Sequence, residues 1–217
     1  MNELYIYGAG SIARETIKLI KKINLKKKTW KIKGLVCKNF VESDLIDGIK
    51  LIDQNTIKKT SNTYAICAIS DPIKKRKVAR DIKKKKIKLA KLICPEIFIY
   101  NDVKIGNGTI IFSNSQIGHT TKIGENTLIS FGVDIGHNIS MGDGCTILPN
   151  SSIGGYVDVG DLVLMGSGVN IMPKIKIGSN SRIGIGSTVI KDVNKNCTMI
   201  VEQKKIILPR KPIKDLD

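Results

Sequence analysis

The chain of 217 residues contains only two histidines, His119 and His137, and they lie eighteen positions apart. Histidine titrates near neutral pH, so it commonly serves as a general base and also as a metal ligand. Asn138 follows His137, and its amide oxygen can accept a hydrogen bond from the ring N–H and hold one tautomer. A zinc bridge lacks cysteine or acidic ligands at the same corner, so no metal is predicted. A general base at this pair is therefore one interpretation, and ordinary corner residues are the alternative for both rings.

Aliphatic residues recur at every sixth position of the second half of the chain without interruption: Ile105, Ile111, Ile117, Ile123, Ile129, Ile135, Met141, Ile147, Ile153, Val159, Met165, Ile171, Ile177, Ile183 and Val189. This period fits neither a helix nor strand alternation, whereas three hexads form one eighteen-residue coil of a prism with three flat walls. The register places His119, His137 and Gly155 on one vertical line. We therefore expect the two rings to stack about one strand spacing apart, ~5 Å.

Two other hexad positions carry small residues. Glycine follows the aliphatic residue in ten of fifteen hexads, as expected where the backbone turns a corner with little side-chain room. Small or β-branched residues stand two positions before it and are predicted to share the narrow interior: Val103, Thr109, Ser115, Thr121, Val133, Cys145, Val157, Val169 and Ser187.

Positive charge is concentrated in the first hundred residues, which hold 24 lysines and arginines against 9 acidic residues, while the whole chain has a net charge of +17. The lysine runs 26–28 and 83–86 lack interleaved aromatic residues, which favours a solvated face over binding to nucleic acid or membrane. A positive domain would also attract a nucleotide-sugar diphosphate or the phosphates of coenzyme A.

The sequence shows no signal peptide and no apolar stretch long enough to span a membrane, so a cytoplasmic protein is expected. The five cysteines have no CxxC spacing. They are predicted to be reduced core residues, with Cys145 pointing into the prism.

The chain begins with the order strand, glycine turn, helix. Leu4–Tyr7 is predicted as a strand, Gly8 and Gly10 as the turn, and 14–23 as an amphipathic helix. Such a turn aims backbone N–H groups and a helix N-terminus at an anion, usually a phosphate.

A dinucleotide site would also need an acid at the end of the second strand, predicted at 31–36. The chain has Cys37, Lys38 and Asn39 there. The sequence therefore disfavours NAD, and about 92 residues are few for a complete dinucleotide domain.

A third strand is predicted at 63–69, followed by a helix that ends near Lys86. Ser70 or Asp71 is the expected N-cap, with Pro72 in the first turn. If the strands are parallel and adjacent, Ser70 lies beside the glycine turn, either as a cap alone or as a second wall of a small-molecule pocket.

The glycine-turn domain followed by unbroken hexads resembles the bacterial sugar acetyltransferases of the hexapeptide-repeat family, of the sialic acid O-acetyltransferase and UDP-4-amino-sugar N-acetyltransferase type. The resemblance covers nearly the whole chain. It implies a Rossmann-like α/β domain that holds the nucleotide sugar over 1–92, and a left-handed parallel β-helix with a C-terminal tail over 93–217. In that family acetyl-CoA, the acyl donor, lies between adjacent β-helices. A homotrimer is expected, because so thin a rod has little core of its own.

The resemblance also implies site residues. The segment from Val133 to Asp143 matches the family motif that carries the general base, which selects His137 with Asn138 in the place of the usual acid. Gly155 matches the glycine whose N–H faces the thioester oxygen. The same register implies coenzyme contacts at Thr146, Gly155, Ser167 and Ile185, and nucleotide-sugar contacts at Gly10, Ser11 and Ser70 beside Gly8.

His119 is assigned to the substrate side of the same site. Two imidazoles about 5 Å apart disfavour double protonation, so the pair would keep one ring neutral and basic near pH 7.

The function implied is acetyl-CoA-dependent N-acetylation of a nucleotide-linked amino sugar for a bacterial surface glycan. O-acetylation of a sialic-acid-like sugar is one alternative, and a non-catalytic trimeric binding scaffold is another. Three departures from the family pattern bear on the substrate and coenzyme: Ile12 stands where the family has a histidine, Cys37 and Lys38 where it has an acid, and 200–206 where it has a Gly-x-Pro-Ala-like segment.

Overall fold

The computed structural model describes residues 1–38 and 45–201, so Asn39 and the tail 202–217 lie outside the described residues. The first half comprises β1 (Asn2–Tyr7), α1 (Ser11–Lys26), β2 (Trp30–Val36), β3 (Leu45–Ile46), β4 (Ile49–Ile52), a 3₁₀-helix (Gln54–Thr56), β5 (Thr63–Cys67), α2 (Pro72–Lys84) and β6 (Lys88–Leu89).

These strands form one sheet in the order β3-β4-β2-β1-β5-β6, in which β1 runs parallel to both β2 and β5. Successive residues of β1 point to opposite faces. Leu4 and Ile6 pack in the cluster that contains α1, whereas Tyr5 and Tyr7 pack in the cluster that contains α2. The predicted strands and helices are confirmed, with ends that differ by at most three residues.

The two helices begin in different ways. Asp71 caps α2, because its side chain accepts a hydrogen bond from the N–H of Lys74, and Pro72 occupies the first turn as predicted. Gly10 is the N-cap of α1 and offers no side-chain cap. The first N–H groups of α1 are therefore left for solvent or a ligand.

The second half consists of two-residue strands: β7 (Leu92–Ile93), β8 (Lys104–Ile105), β9 (Ile110–Ile111), β10 (Gln116–Ile117), β11 (Lys122–Ile123), β12 (Leu128–Ile129), β13 (Asp134–Ile135), β14 (Ser140–Met141), β15 (Thr146–Ile147), β16 (Ser152–Ile153), β17 (Asp158–Val159), β18 (Leu164–Met165), β19 (Asn170–Ile171), β20 (Lys176–Ile177), β21 (Arg182–Ile183), β22 (Thr188–Val189) and β23 (Thr198–Met199).

The strands form three parallel walls. Wall 1 contains β8, β11, β14, β17 and β20. Wall 2 contains β7, β9, β12, β15, β18, β21 and β23, and wall 3 contains β10, β13, β16, β19 and β22. Neighbouring strands are offset by eighteen residues, as in Ile117 opposite Ile135. Each of the fifteen predicted aliphatic residues ends one strand, which confirms the three-walled prism.

The prism is longer than the hexads from Ile105 suggested. Ile93 and Ile99 continue the same six-residue phase backwards, and both pack on the interior. At the other end the last coil is shorter, because Ile183 pairs with Met199 after only sixteen residues.

The interior is aliphatic with a few small polar side chains. Several buried hydroxyls donate to carbonyl oxygens fifteen residues later, in the next coil, as in Thr121 to Gly136 at 3.0 Å and Ser115 to Ser130 at 2.8 Å. These hydrogen bonds offset the cost of burying the hydroxyls. Glycine is required at Gly118, since a β-carbon there would lie 2.6 Å from the backbone of Gly136.

Wall 2 is covered by the N-terminal half. Its outward residues Leu92, Ile110 and Leu128 are buried in the cluster that also contains Leu4 and Ile17. The two halves therefore share one apolar core, which fixes how the sheet sits on the prism.

None of the five cysteines forms a disulfide, and Cys145 is buried in the prism as predicted. The prediction of core cysteines is wrong for Cys197, which is exposed because no further coil covers it within 1–38 and 45–201. Cys37 is only half-buried. In these same ranges, no helix is long and apolar enough to cross a membrane.

Candidate active site

The two histidines lie on the corner between walls 3 and 1. His119 follows β10 and His137 follows β13, and these two strands pair directly. The rings are parallel within 8°, and their centroids are 5.2 Å apart. The predicted stack is confirmed, and both rings line one cleft of about 490 Å³.

Asn138 holds the ring of His137. The Nδ1 atom of His137 lies 2.9 Å from Oδ1 of Asn138. A carbonyl oxygen only accepts hydrogen bonds, so Nδ1 carries a proton, and in the neutral ring Nε2 carries the lone pair. Asn138 itself has φ 57°, a left-handed conformation that asparagine tolerates better than most residues. In its neutral form, the imidazole at this corner therefore presents Nε2 as its acceptor nitrogen.

Gly155 lies directly above this ring. A β-carbon at Gly155 would be 2.8 Å from Nε2 of His137, which is closer than non-bonded atoms pack. The amides on either side are used, because Gly154 donates to Ile171 and Tyr156 donates to His137. The N–H of Gly155 has no partner in the part of the chain that the structure describes. A hydrogen-bond donor therefore stands open one coil above the base.

Aromatic side chains flank the stack and were missed by sequence reasoning. Tyr156 meets His137 edge-on at 5.1 Å, and Tyr100 meets His119 edge-on at 6.4 Å. Phe98 in turn contacts Tyr100 at 4.9 Å. Tyr156 could have been found, since it occupies the corner position that Asn138 occupies one coil earlier.

The structure separates the residues that were assigned to the coenzyme. Ser167 and Ile185 stack on the corner between walls 2 and 3, across wall 3 from the corner of Gly155. Thr146 points outward from wall 2 and is fully buried beneath α2. The prediction of a coenzyme contact is wrong for Thr146, because no surface is left for a ligand.

The residue that covers Thr146 is a buried lysine that the sequence did not single out. The ammonium group of Lys75 donates to the carbonyl oxygen of Cys145 at 2.8 Å and to the hydroxyl of Thr146 at 2.7 Å. Burial lowers the pKa of Lys75 to about 7, against weaker opposing effects of nearby groups that include Asp71. Its role is to fasten α2 to wall 2.

A second cleft, of about 510 Å³, lies in the N-terminal half at the carboxyl ends of β1 and β2. Its lining combines Gly8 with three cations, Lys38, Lys74 and Lys77, and two acids, Asp53 and Asp81. Tyr7 also lines this cleft, and its hydroxyl is buried, with no hydrogen-bond partner among the described residues. Burial raises the pKa of Tyr7 to about 12, so its hydroxyl stays protonated and can donate.

The other predicted nucleotide-sugar residues lie around the rim of the same sheet end. Gly10 and Ser11 are exposed at the start of α1, and Ser70 is exposed just before Asp71. Strands β1 and β5 are parallel neighbours, and a β-carbon at Gly8 would lie 2.6 Å from the carbonyl oxygen of Ala68. The expected proximity of the glycine turn to the end of β5 is confirmed.

Residues 102–137 and 120–155 match the family model of the bacterial transferase hexapeptide, which has six repeats. No curated protein matches the chain. Among solved structures, a mutant of perosamine N-acetyltransferase from Caulobacter crescentus, in complex with CoA and GDP-perosamine, is 20% identical with a TM-score of 0.84, over 91% of this chain and 93% of that one.

Two further structures have the same architecture. The acetyltransferase domain of PglB from Neisseria gonorrhoeae, in complex with acetyl coenzyme A, is 17% identical with a TM-score of 0.80, over 91% of this chain and 95% of the other. WeeI from Acinetobacter baumannii is 18% identical with a TM-score of 0.71, over 90% and 94%. Residues 102–155 thus match bacterial transferase hexapeptide repeats, and the chain has the fold of these bacterial acetyltransferase structures.

Proposed function

We propose that the chain is an acetyl-CoA-dependent N-acetyltransferase that acts on a nucleotide-linked amino sugar in the synthesis of a bacterial surface glycan. The observation that carries the proposal is the corner where His137, held by Asn138, lies beneath the open N–H of Gly155. The substrate class is supported by the Caulobacter enzyme of the same fold, which was crystallised with CoA and GDP-perosamine.

The corner supplies the two groups that acyl transfer requires. Nε2 of His137 accepts the proton released as the sugar amine attacks the thioester carbonyl. The N–H of Gly155 donates to the carbonyl oxygen as negative charge gathers there. A C–N bond forms and the C–S bond breaks. His137 then returns its proton to the leaving thiolate, so the ring ends neutral and free coenzyme A is released.

The neutral partner of His137 favours an amine over a hydroxyl as the attacking group. Asn138 fixes the ring tautomer without the charge that an acid would place beside the imidazolium. A hydroxyl depends heavily on proton removal, whereas an amine delivered neutral is already nucleophilic.

We assign the nucleotide to the cleft at the ends of β1 and β2. Lys38, Lys74 and Lys77 place positive charge where a diphosphate would lie, and the uncapped start of α1 adds N–H donors. On this proposal residues 1–92 are a Rossmann-like nucleotide-sugar domain, and 93–217 form a left-handed β-helix that carries the acyl transfer.

We also propose a homotrimer as the working form. The corner of His137 and Gly155 and the corner of Ser167 and Ile185 lie on opposite edges of wall 3. One copy therefore does not bring both groups to the same acetyl-CoA. Side-by-side packing of copies would place the second corner of one prism against the first corner of the next.

The test is acetyl transfer from acetyl-CoA to a panel of nucleotide-linked amino sugars, followed as free thiol and by the mass of the product. We expect transfer with the wild-type protein, and a loss of about 10²–10⁴-fold in kcat for His137→Ala. Lys104→Ala, on the outer face of wall 1, is the control and should keep wild-type activity. No transfer to any acceptor, or an unchanged rate in His137→Ala, would refute the proposal.

A further inference from the structure

His119 is held by a chain of hydrogen bonds that His137 lacks. Its Nδ1 atom lies 3.1 Å from the hydroxyl of Thr120. That hydroxyl lies 2.8 Å from a carboxylate oxygen of Asp102, which also accepts the backbone N–H of Thr120 at 2.9 Å. These hydrogen bonds lower the pKa of Asp102, so the carboxylate is ionised near neutral pH.

This chain fixes the tautomer of His119. An ionised carboxylate only accepts hydrogen bonds, so the hydroxyl hydrogen of Thr120 points to Asp102. The hydroxyl oxygen is then left to accept from Nδ1–H of His119. In the neutral form of the ring, Nε2 of His119 is therefore the acceptor nitrogen, as is Nε2 of His137.

The backbone of Thr120 indicates that its hydroxyl is retained for a purpose. Thr120 has φ 57°, and it is the one β-branched residue with positive φ in 1–38 and 45–201. Equivalent corner positions are mostly asparagine or glycine, for example Asn138 and Gly132. A β-branched side chain is strained in this conformation, and strain of this kind concentrates at functional sites.

The two acceptor nitrogens face the same cleft at a defined spacing. The rings are parallel, their Nδ1 atoms bond the next residue in the same way, and their centroids are 5.2 Å apart. Their Nε2 atoms are thus also about 5 Å apart, one strand spacing. Tyr100 and Asp134 line the cleft beside them and add apolar and polar surface for a sugar.

We propose that His119 is a specificity-determining residue: its Nε2 accepts a hydrogen bond from a hydroxyl or amide N–H of the acceptor that lies two ring carbons from the amine attacked at His137. With single bonds of about 1.5 Å in a staggered chair, equatorial groups on carbons one apart are ~3 Å from each other and those two apart ~5 Å. The second spacing matches the two histidines. This inference rests on the proposed function, since it specifies the acceptor of that same site.

The tautomer is measured first, because the protein has only two histidines and their ring nitrogens give two resolvable sets of signals in the ¹⁵N-labelled full chain. We expect both rings to carry the proton on Nδ1 at pH 8. Thr120→Gly should alter only the signals of His119, while Lys104→Ala should alter neither. A proton on Nε2 of His119 in the wild-type protein would overturn the proposal.

Recognition is measured with two probes, a GDP-linked 4-amino-4,6-dideoxyhexose that bears an equatorial 2-hydroxyl and its 2-deoxy counterpart. One hydrogen bond distinguishes them, so wild-type kcat/KM should differ by about 10-fold. The difference should fall below about 2-fold in His119→Phe, which keeps an aromatic ring, and in Thr120→Gly, which relieves the strained backbone and should keep its melting temperature. An unchanged ratio in both variants would overturn the proposal.

Measurements of transfer and of probe binding together distinguish failure of this inference from failure of the proposed function on which it rests. Transfer to both probes without discrimination would refute the role of His119 and leave acetyl transfer intact. Absence of transfer, with a shift of the His119 Nε2 signal on addition of the hydroxylated probe alone, would refute the enzymatic function and support recognition by His119. No shift with either probe would overturn the recognition.

Discussion

Walls 2 and 3 are built from the same hexad and differ in what they present outward. On wall 2 the outward residues Ile110 and Leu128 are buried against the N-terminal half. On wall 3 the corresponding Gln116 and Asp134 are exposed, and the corner beside them carries the histidines. Both walls point equally aliphatic residues inward. The inward residues of the hexads specify the prism. The outward residues decide whether a wall packs against the N-terminal half or stays exposed beside the histidine corner.

The largest effect should come from the corner of wall 3. In Gly155→Ala the new β-carbon would collide with the ring of His137 and displace both the base and the N–H donor. We expect kcat for acetyl transfer to fall by about 10²–10³-fold, as when an oxyanion donor is removed. The prism should remain folded by circular dichroism. A kcat within about 3-fold of the wild-type value would show that acetyl transfer does not take place at this corner.

Substitutions on wall 2 should instead change the free energy of unfolding. Leu128→Ala empties space in the shared core and should lower the free energy of unfolding by about 2–5 kcal/mol. Asn170→Ala, on the exposed face of wall 3, should change it by less than about 0.5 kcal/mol. Urea unfolding followed by circular dichroism measures both. Equal losses of unfolding free energy in the two variants would contradict the expected difference between walls 2 and 3.

Wall 2 also predicts a pH dependence. The pKa of Lys75 is lowered to about 7 in the folded chain from its ordinary value of 10.5. Below about pH 7 the group is protonated in both states and contributes no pH dependence. Between about 7 and 10.5 the unfolded state holds a proton that the folded state has released, so stability should rise with pH.

Urea unfolding at pH 7 and pH 9 measures this rise, and Lys75→Met is the matched variant, since methionine fills similar space without a charge. The rise should shrink in Lys75→Met. A wild-type stability that falls over this interval while the variant stays flat would contradict the assignment.

The smallest effect should come from the partner of the base. Asn138→Gly keeps a residue suited to φ 57° and removes the amide that holds His137. One orienting hydrogen bond suggests a loss of about 5–10-fold in kcat. Asn180→Gly makes the same change on the corner between walls 1 and 2 and should leave kcat unchanged. Equal losses of kcat in both variants would show that the change in the corner backbone, and not the freed ring of His137, causes the loss.

The prism and the histidine stack could be predicted from the sequence because they follow from one period. Every sixth residue is aliphatic, and that register alone aligned His119, His137 and Gly155. The covered wall could have been predicted as well, since every third outward position from Ile110 is apolar or threonine, through Leu128 and on to Leu164. Thr146 belongs to this covered set, so the same eighteen-residue pattern argues against its assignment to the coenzyme.

Other features depend on contacts that no local pattern encodes. Lys75 is one of many lysines in the first half, and nothing in the sequence marks the one that is buried against Cys145. The link from His119 through Thr120 to Asp102 joins two coils, and its members look like ordinary surface residues. Tyr7 is a strand residue by pattern, and its orphan hydroxyl emerges only when the neighbouring elements are in place.

The eighteen-residue register limits the insertions and deletions that keep the walls of the prism in register. Because Gly118, Gly136 and Gly154 are each pressed against the coil above, one inserted residue would rotate every later side chain off its wall. Near the histidines, the change of length that leaves every later side chain on its wall is therefore a whole coil of eighteen residues. The sixteen-residue last coil is the exception, and it lies beyond the stack. The rod can thus lengthen in steps of one coil while its chemistry keeps its place.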